Sequence, residues 1–133
     1  MPRIPSICPF CGCGCNFYLI VDGGRIIGVE PNSANPVNKG MLCTKGWNSY
    51  EFVHSPDRLK VPLVRKDGEL VESSWEEALD LVCMRLLEIR DKAGPNSLGF
   101  LCSAKVTNEE NYLFMKMARA VFKTNNIDHC ARL

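Results

Sequence analysis

Two apolar arms, FYLIV at 17–21 and IIGV at 26–29, flank Asp22-Gly23-Gly24. Arms of this kind around residues that tolerate positive φ predict a β-hairpin over 16–30. The Asn- and Pro-rich stretch 31–40 follows as a loop. A second hairpin is expected over 59–72, turning at Asp67-Gly68, with Pro62 weakening its first arm or placing it on an edge. The period then changes. Ser74 and Glu77 make a capping box, and Trp75, Ala78, Leu79, Val82, Leu86 and Ile89 recur at helical spacing to form one apolar face. Ala93-Gly94-Pro95 stops that helix. Residues 98–102 read as a short buried strand. Thr107 and Glu110 form a second capping box, opening a helix that runs to about Phe122. Asn125-Asn126 then turns the chain into a strand starting at Ile127.

Hairpins followed by helix, strand, helix and strand describe an α+β chain. It has a small antiparallel β subdomain over 1–58 and, over 59–133, the start of an α/β (Rossmann-like) domain. One or two strands of a parallel sheet cannot bury both faces. That domain is therefore expected to be incomplete within this chain.

Composition removes several functional classes. The chain has 133 residues, 46% hydrophobic and 23% charged, with a net charge of +1. No basic field is available for a phosphate backbone, so nucleic acid is not an expected partner. No apolar run reaches the length of a membrane span, and MPRIPSICPF lacks a signal-peptide core. A cytoplasmic location follows as the expectation. There is no GxGxxG after a strand, so nothing here recognises NAD.

Eight cysteines are the abnormal feature. Four crowd into CPFCGCGC as Cys8, Cys11, Cys13 and Cys15, and Cys43 follows in MLCTKGW. Cytosolic thiols stay reduced, so this clustering points to metal rather than disulfides. Gly12 and Gly14 let the backbone wrap closely around an anionic ligand. A tight loop gives three thiolates and a distant residue the fourth, as a cubane requires. Zinc on a Cys-x-x-Cys remains an alternative, although the second pair it needs is missing. Spacing alone leaves open whether Cys13 or Cys15 is the third ligand.

CPFCGCGCN followed by KGMLCTKGW resembles the N-terminal signature of the bis-molybdopterin oxidoreductases. HSPDRLKVPLVR, SWEEALDLV, TNEENY, KMARAV and TNNIDHCARL, in that order, resemble the formate dehydrogenase catalytic subunits among them. The resemblance implies a [4Fe–4S] cluster on Cys8, Cys11, Cys15 and Cys43, held by the β subdomain, with Cys13 a non-ligand. It implies that Lys45 lies between cluster and pterin as an electron relay, and that Lys105 faces a Mo- or W-bis(molybdopterin guanine dinucleotide). Lys105 also falls at the strand-to-helix edge where open α/β sheets bind ligands. Implied partners are the remainder of the catalytic subunit, electron-transfer subunits carrying iron–sulfur or flavin, and formate with CO2.

Cys83 and Cys102 read as core residues, and His54 and Trp47 as packing or surface. His129 and Cys130 stand just ahead of the family's metal-ligating position. The resemblance places Cys or selenocysteine directly after a segment like NNIDHCARL, so a truncation at a selenocysteine codon after Leu133 is expected, leaving the fragment inactive alone. A different class is a free-standing zinc- or iron–sulfur-binding carrier module, which colour and metal content would distinguish.

Overall fold

In the computed structural model of the chain, residues 1–130 are described. Three antiparallel strands open the molecule in spatial order β1-β2-β3: β1 Arg3–Ile7, β2 Asn16–Asp22 and β3 Arg25–Pro31. The β2–β3 turn follows the sequence. Gly23 and Gly24 take φ of 52° and 76°, which suits a two-residue hairpin connection. Strand β1 was not expected. It carries Pro5 and lies at the sheet edge, where a missing N–H is tolerated. It is mostly exposed, so no apolar alternation announced it.

The loop over 32–43 leads into a four-residue helix α1, Thr44–Trp47, and a 3-10 turn, Glu51–His54. Neither is long enough to leave a periodic signature. His54 is more than packing: its Nε2 accepts from the Ile26 N–H at 2.9 Å, fixing the 3-10 turn to β3. Trp47 is exposed.

The second hairpin is β4 Leu63–Lys66 and β5 Glu69–Glu72, in antiparallel register, turning through Asp67 and Gly68 at positive φ. It starts only after Pro62. Helix α2 runs Trp75–Ala93, and the Ser74 hydroxyl accepts from the Glu77 N–H at 3.1 Å. The Glu77 carboxylate accepts from Ser73, so the box closes one residue early. Gly94, at φ 85°, and Pro95 end the helix as expected.

Trp75, Leu79, Val82 and Ile89 stay exposed. Cys83 is likewise exposed, correcting its assignment to the core. Helical spacing gave α2 an apolar face, but within this chain nothing covers enough of it to bury a residue. Strand β6 Phe100–Cys102 pairs with β7 Ile127–His129. Between them, α3 spans Asn108–Ala120 behind a complete capping box. The Thr107 N–H donates to the Glu110 carboxylate at 2.7 Å, and the Glu110 N–H donates to Thr107 Oγ1 at 3.3 Å.

The chain packs as two units. Among the described residues, one comprises 1–58, 102–114 and 129–130, the other 59–101 and 115–128. In the first, Phe17 is the largest fully buried side chain. In the second, Phe100 and Phe122 are buried with their ring centroids 5.2 Å apart. Among the described residues no helix is long and apolar enough to cross a membrane. The chain-end expectation at Leu133 lies outside the described residues.

Candidate metal centre

Strand β1 positions the cysteines. Ile7 pairs with Asn16, and the Cys8 N–H donates to the Cys15 carbonyl at 2.9 Å, so CPFCGCGC is the loop of the β1–β2 hairpin. The outer cysteines of that loop stand at its mouth. Gly14 turns it at φ 73°, a conformation that favours glycine. Phe10 meets Phe52 edge to face, with centroids 5.9 Å apart, and the Arg58 guanidinium lies over the Phe52 ring. The loop is thereby propped from the 3-10 turn.

Cys43 arrives from the other side as the N-cap of α1. Its position depends on Asn38, a buried residue in the loop that sequence reading left featureless. Asn38 Oδ1 accepts from the Asn16 N–H at 3.0 Å, and its Nδ2 donates to the carbonyls of Asn16 and Met41 at 3.2 and 3.1 Å. Asn16 follows Cys15, and Met41 precedes Cys43 by two residues. One carboxamide thus joins the loop cysteines to the distant one. An asparagine in an Asn-rich loop gives no local sign of this, since its partner is far along the chain.

The thiols feel one another. Burial pushes Cys8 up; the Phe10 amide lowers it, the Cys11 and Cys43 charges raise it, and the Lys45 cation lowers it. Burial also pushes Cys15 up to about 11, helped by its hydrogen bond with Cys13 and by the charges of Cys13, Cys8 and Cys11. Cys43 goes the other way. It forms no side-chain capping hydrogen bond, but the Gly46 and Lys45 amides face its sulfur and hold the thiol below its usual range, with the Lys45 charge adding to them.

This set fits a cationic cluster. Crowded thiols resist joint ionisation until metal charge compensates them, and the surroundings of Cys43 already favour its ionised form. Among the described residues no group of three or more His, Cys, Asp or Glu is arranged to hold a single metal ion. A cubane offers each thiolate its own iron, so its ligands need not converge on one point. Within the loop Cys13 is exposed, whereas Cys8, Cys11 and Cys15 are buried or half-buried; Cys43 is exposed as well.

Lys105 lies in the loop between β6 and α3, and its N–H donates to Ser103 Oγ at 3.0 Å. Close by, Asn111 Nδ2 donates to the Ser103 carbonyl at 3.1 Å, while Asn111 Oδ1 is buried without a partner. A cation and an unused acceptor beside one loop suit a polar cofactor such as a pterin. Cys102 is half-buried.

The Cys130 sulfur lies 3.5 Å from the Ser103 hydroxyl. That hydroxyl first, then the Ala104 amide and more weakly the Lys105 charge, hold the exposed thiol below the ordinary range. A lowered pKa populates the thiolate at lower pH. Alkylation of Cys130 by iodoacetamide, followed by peptide mass mapping, is expected to reach half its maximal rate below the usual cysteine range. Ser103→Ala should move that midpoint up. A midpoint at the free-cysteine value in both proteins would contradict the assignment.

Known proteins give the centre its context. The Fe4S4 domain of the molybdopterin oxidoreductases matches residues 1–55, and the molybdopterin oxidoreductase domain matches 58–133. An F420-dependent formate dehydrogenase 1 subunit alpha of Methanococcus maripaludis is 53% identical over 130 residues, covering 98% of this chain and 19% of that protein. A putative formate dehydrogenase of Bacillus subtilis is 50% identical, covering 98% of this chain and 13% of its own length. This chain therefore spans a fifth or less of these relatives. Acetylene hydratase from Pelobacter acetylenicus aligns with a TM-score of 0.70 at 25% identity, over 94% of this chain and 18% of that one. The matched domains carry the [4Fe–4S] and molybdopterin cofactors expected from the motifs. The chain belongs to the molybdopterin oxidoreductase family.

Proposed function

We propose that this chain is the cluster-bearing segment of a formate dehydrogenase catalytic subunit, with Cys8, Cys11, Cys15 and Cys43 as the ligands of one [4Fe–4S] cluster. The observation that supports the ligand set is the hairpin mouth: the Cys8–Cys15 backbone bond closes the loop that carries Cys8, Cys11 and Cys15, and the Asn38 bridge ties that loop to the stretch leading to Cys43. The reaction assigned to the whole enzyme is formate oxidation to CO2 or its reverse. Relatives named formate dehydrogenase, at about twice the identity of the acetylene hydratase, favour it.

When bound, the cluster supplies a one-electron carrier between a molybdenum or tungsten centre and an acceptor. The residues do the rest. The loop excludes water from the inner sulfurs, and the Gly46 and Lys45 amides stabilise the Cys43 thiolate. Lys45 sets a cation beside Cys8 and Cys43, where it offsets negative charge and serves as the relay toward a bis(molybdopterin guanine dinucleotide). Lys105 is assigned to the pterin side, on a chain segment that opens a Rossmann-like domain. Electron-transfer subunits carrying iron–sulfur or flavin are the proposed partners.

Anaerobic purification followed by visible spectroscopy and analysis for iron, sulfide and zinc tests this reading. Broad brown absorption with iron and sulfide supports it; a colourless protein with stoichiometric zinc replaces it with a carrier or interaction module. Lys45→Ala is expected to keep its iron and to lower the cluster's reduction potential, because a neighbouring cation favours the electron-rich state. Turnover through the cluster should slow with it. An unchanged potential in an EPR-monitored redox titration would reduce Lys45 to a surface charge.

A further inference from the structure

Gly12 and Gly14 stand two residues apart in the cysteine loop, yet glycine is needed at each for a different reason. Gly14 needs its positive φ, whereas Gly12 is not in the left-handed region. A side chain at position 12 would instead have to displace a neighbour. A Cβ built there would collide with Oδ1 of Asn108, the first residue of α3. The same carboxamide is bonded to the loop, for Asn108 Nδ2 donates to the Gly12 carbonyl at 2.7 Å across 96 residues of sequence. Both residues belong to the same packing unit.

The loop's other supports lie elsewhere. Its mouth is closed by Cys8 and Cys15, and Phe10 rests on Phe52. Gly12 directly follows Cys11 and precedes the exposed Cys13. Without a tie at its carbonyl, the peptide leaving Cys11 would depend on the mouth and on the Phe10–Phe52 contact that precedes it.

We propose that Asn108 is a positioning residue for the cluster: it fixes the Cys11–Gly12 segment through the Gly12 carbonyl, and glycine at 12 admits it. This rests on the reading of Cys8, Cys11, Cys15 and Cys43 as ligands. The chemistry requires an amide. A carbonyl oxygen accepts only from a donor, so the near-isosteric carboxylate of aspartate would face it with a second acceptor. A bond at a ligand's own loop restrains thiolate geometry and water access, which govern how readily iron is lost.

The interlocked contact makes a specific test possible. In the anaerobically purified, iron-loaded protein, Asn108→Ala, Asn108→Asp and Gly12→Ala are each expected to release iron to a chelator roughly five- to tenfold faster, the effect of one hydrogen bond. Far-UV circular dichroism should be unchanged. The double variant Gly12→Ala/Asn108→Ala should be no faster than either alanine variant alone. The added methyl acts by displacing the carboxamide, and in the double variant none is left to displace. Wild-type release rates in Asn108→Ala and Asn108→Asp, or multiplied rates in the double variant, overturn the role of Asn108. A wild-type protein that holds no iron and sulfide overturns the ligand reading, and this proposal with it.

Discussion

Cys43→Ser is expected to strip the protein of nearly all its iron and acid-labile sulfide, while Cys13→Ser leaves both unchanged. Cys43 is the one ligand candidate outside the hairpin loop, so no neighbouring thiol can substitute for it. Its surroundings are set for a thiolate: the Gly46 and Lys45 amides and the Lys45 cation hold its thiol below the usual range. A serine hydroxyl would stay protonated there and supply no comparable ligand. Cys13 is exposed at the loop surface, and its hydrogen bond with Cys15 raises that neighbour's pKa. Its removal therefore makes the Cys15 proton easier to lose.

Because burial raises both Cys8 and Cys15, loading must expel their protons, so iron uptake should weaken as pH falls. Iron, sulfide and visible absorption of Cys43→Ser, Cys13→Ser and Cys15→Ser decide the matter. Retention of the cluster in Cys15→Ser with its loss in Cys13→Ser would move the third ligand to Cys13.

Local chemistry was legible in the sequence, and distant pairing was not. The caps of α2 and α3 and the turns at Gly23-Gly24 and Asp67-Gly68 follow from residues a few positions apart. Each was readable from propensity and capping rules. The cysteine motif was legible too, as thiolate number and glycine content point to a metal, although spacing alone left zinc and the third ligand open. Strand β1 escaped because Pro5, the flanking prolines and its exposed face mimic a loop, although its pairing with β2 is what closes the cysteine loop. Cys83 was misplaced because helical spacing reports an apolar face but not whether anything covers it. Asn38, His54 and Asn108 act across 22, 28 and 96 residues of sequence. Nothing beside them in the chain distinguishes a bridging side chain from a solvated one.

Of these three, Asn38 has the largest expected effect on both stability and iron. It is only 5% exposed, and its carboxamide satisfies one backbone donor and two backbone acceptors. Asn38→Ala removes the partner of the Asn16 N–H and of the Met41 carbonyl, while the Asn16 carbonyl keeps the Asn32 N–H at 3.2 Å. A buried group left unmatched costs about 1–3 kcal/mol. Because these sites are only part-buried, water recovers some of each loss, and the total expected is about 3 kcal/mol. Adjacent groups losing one shared partner do not add independently, which holds the figure near that value. Asn38→Asp keeps an acceptor for the Asn16 N–H but turns a carboxylate toward two carbonyls, so its stability should be no better than that of Asn38→Ala. The functional consequence is larger, because the bridge runs from the residue after Cys15 to the residue two before Cys43. With it gone, the stretch carrying Cys43 loses its tie to the cysteine loop, and the cluster's fourth ligand loses its fixed position. Urea denaturation of the metal-free proteins isolates the structural cost, and iron content after anaerobic loading reads the positional one. A wild-type denaturation midpoint together with full iron in Asn38→Ala would show that the two cysteine segments are held together without this side chain.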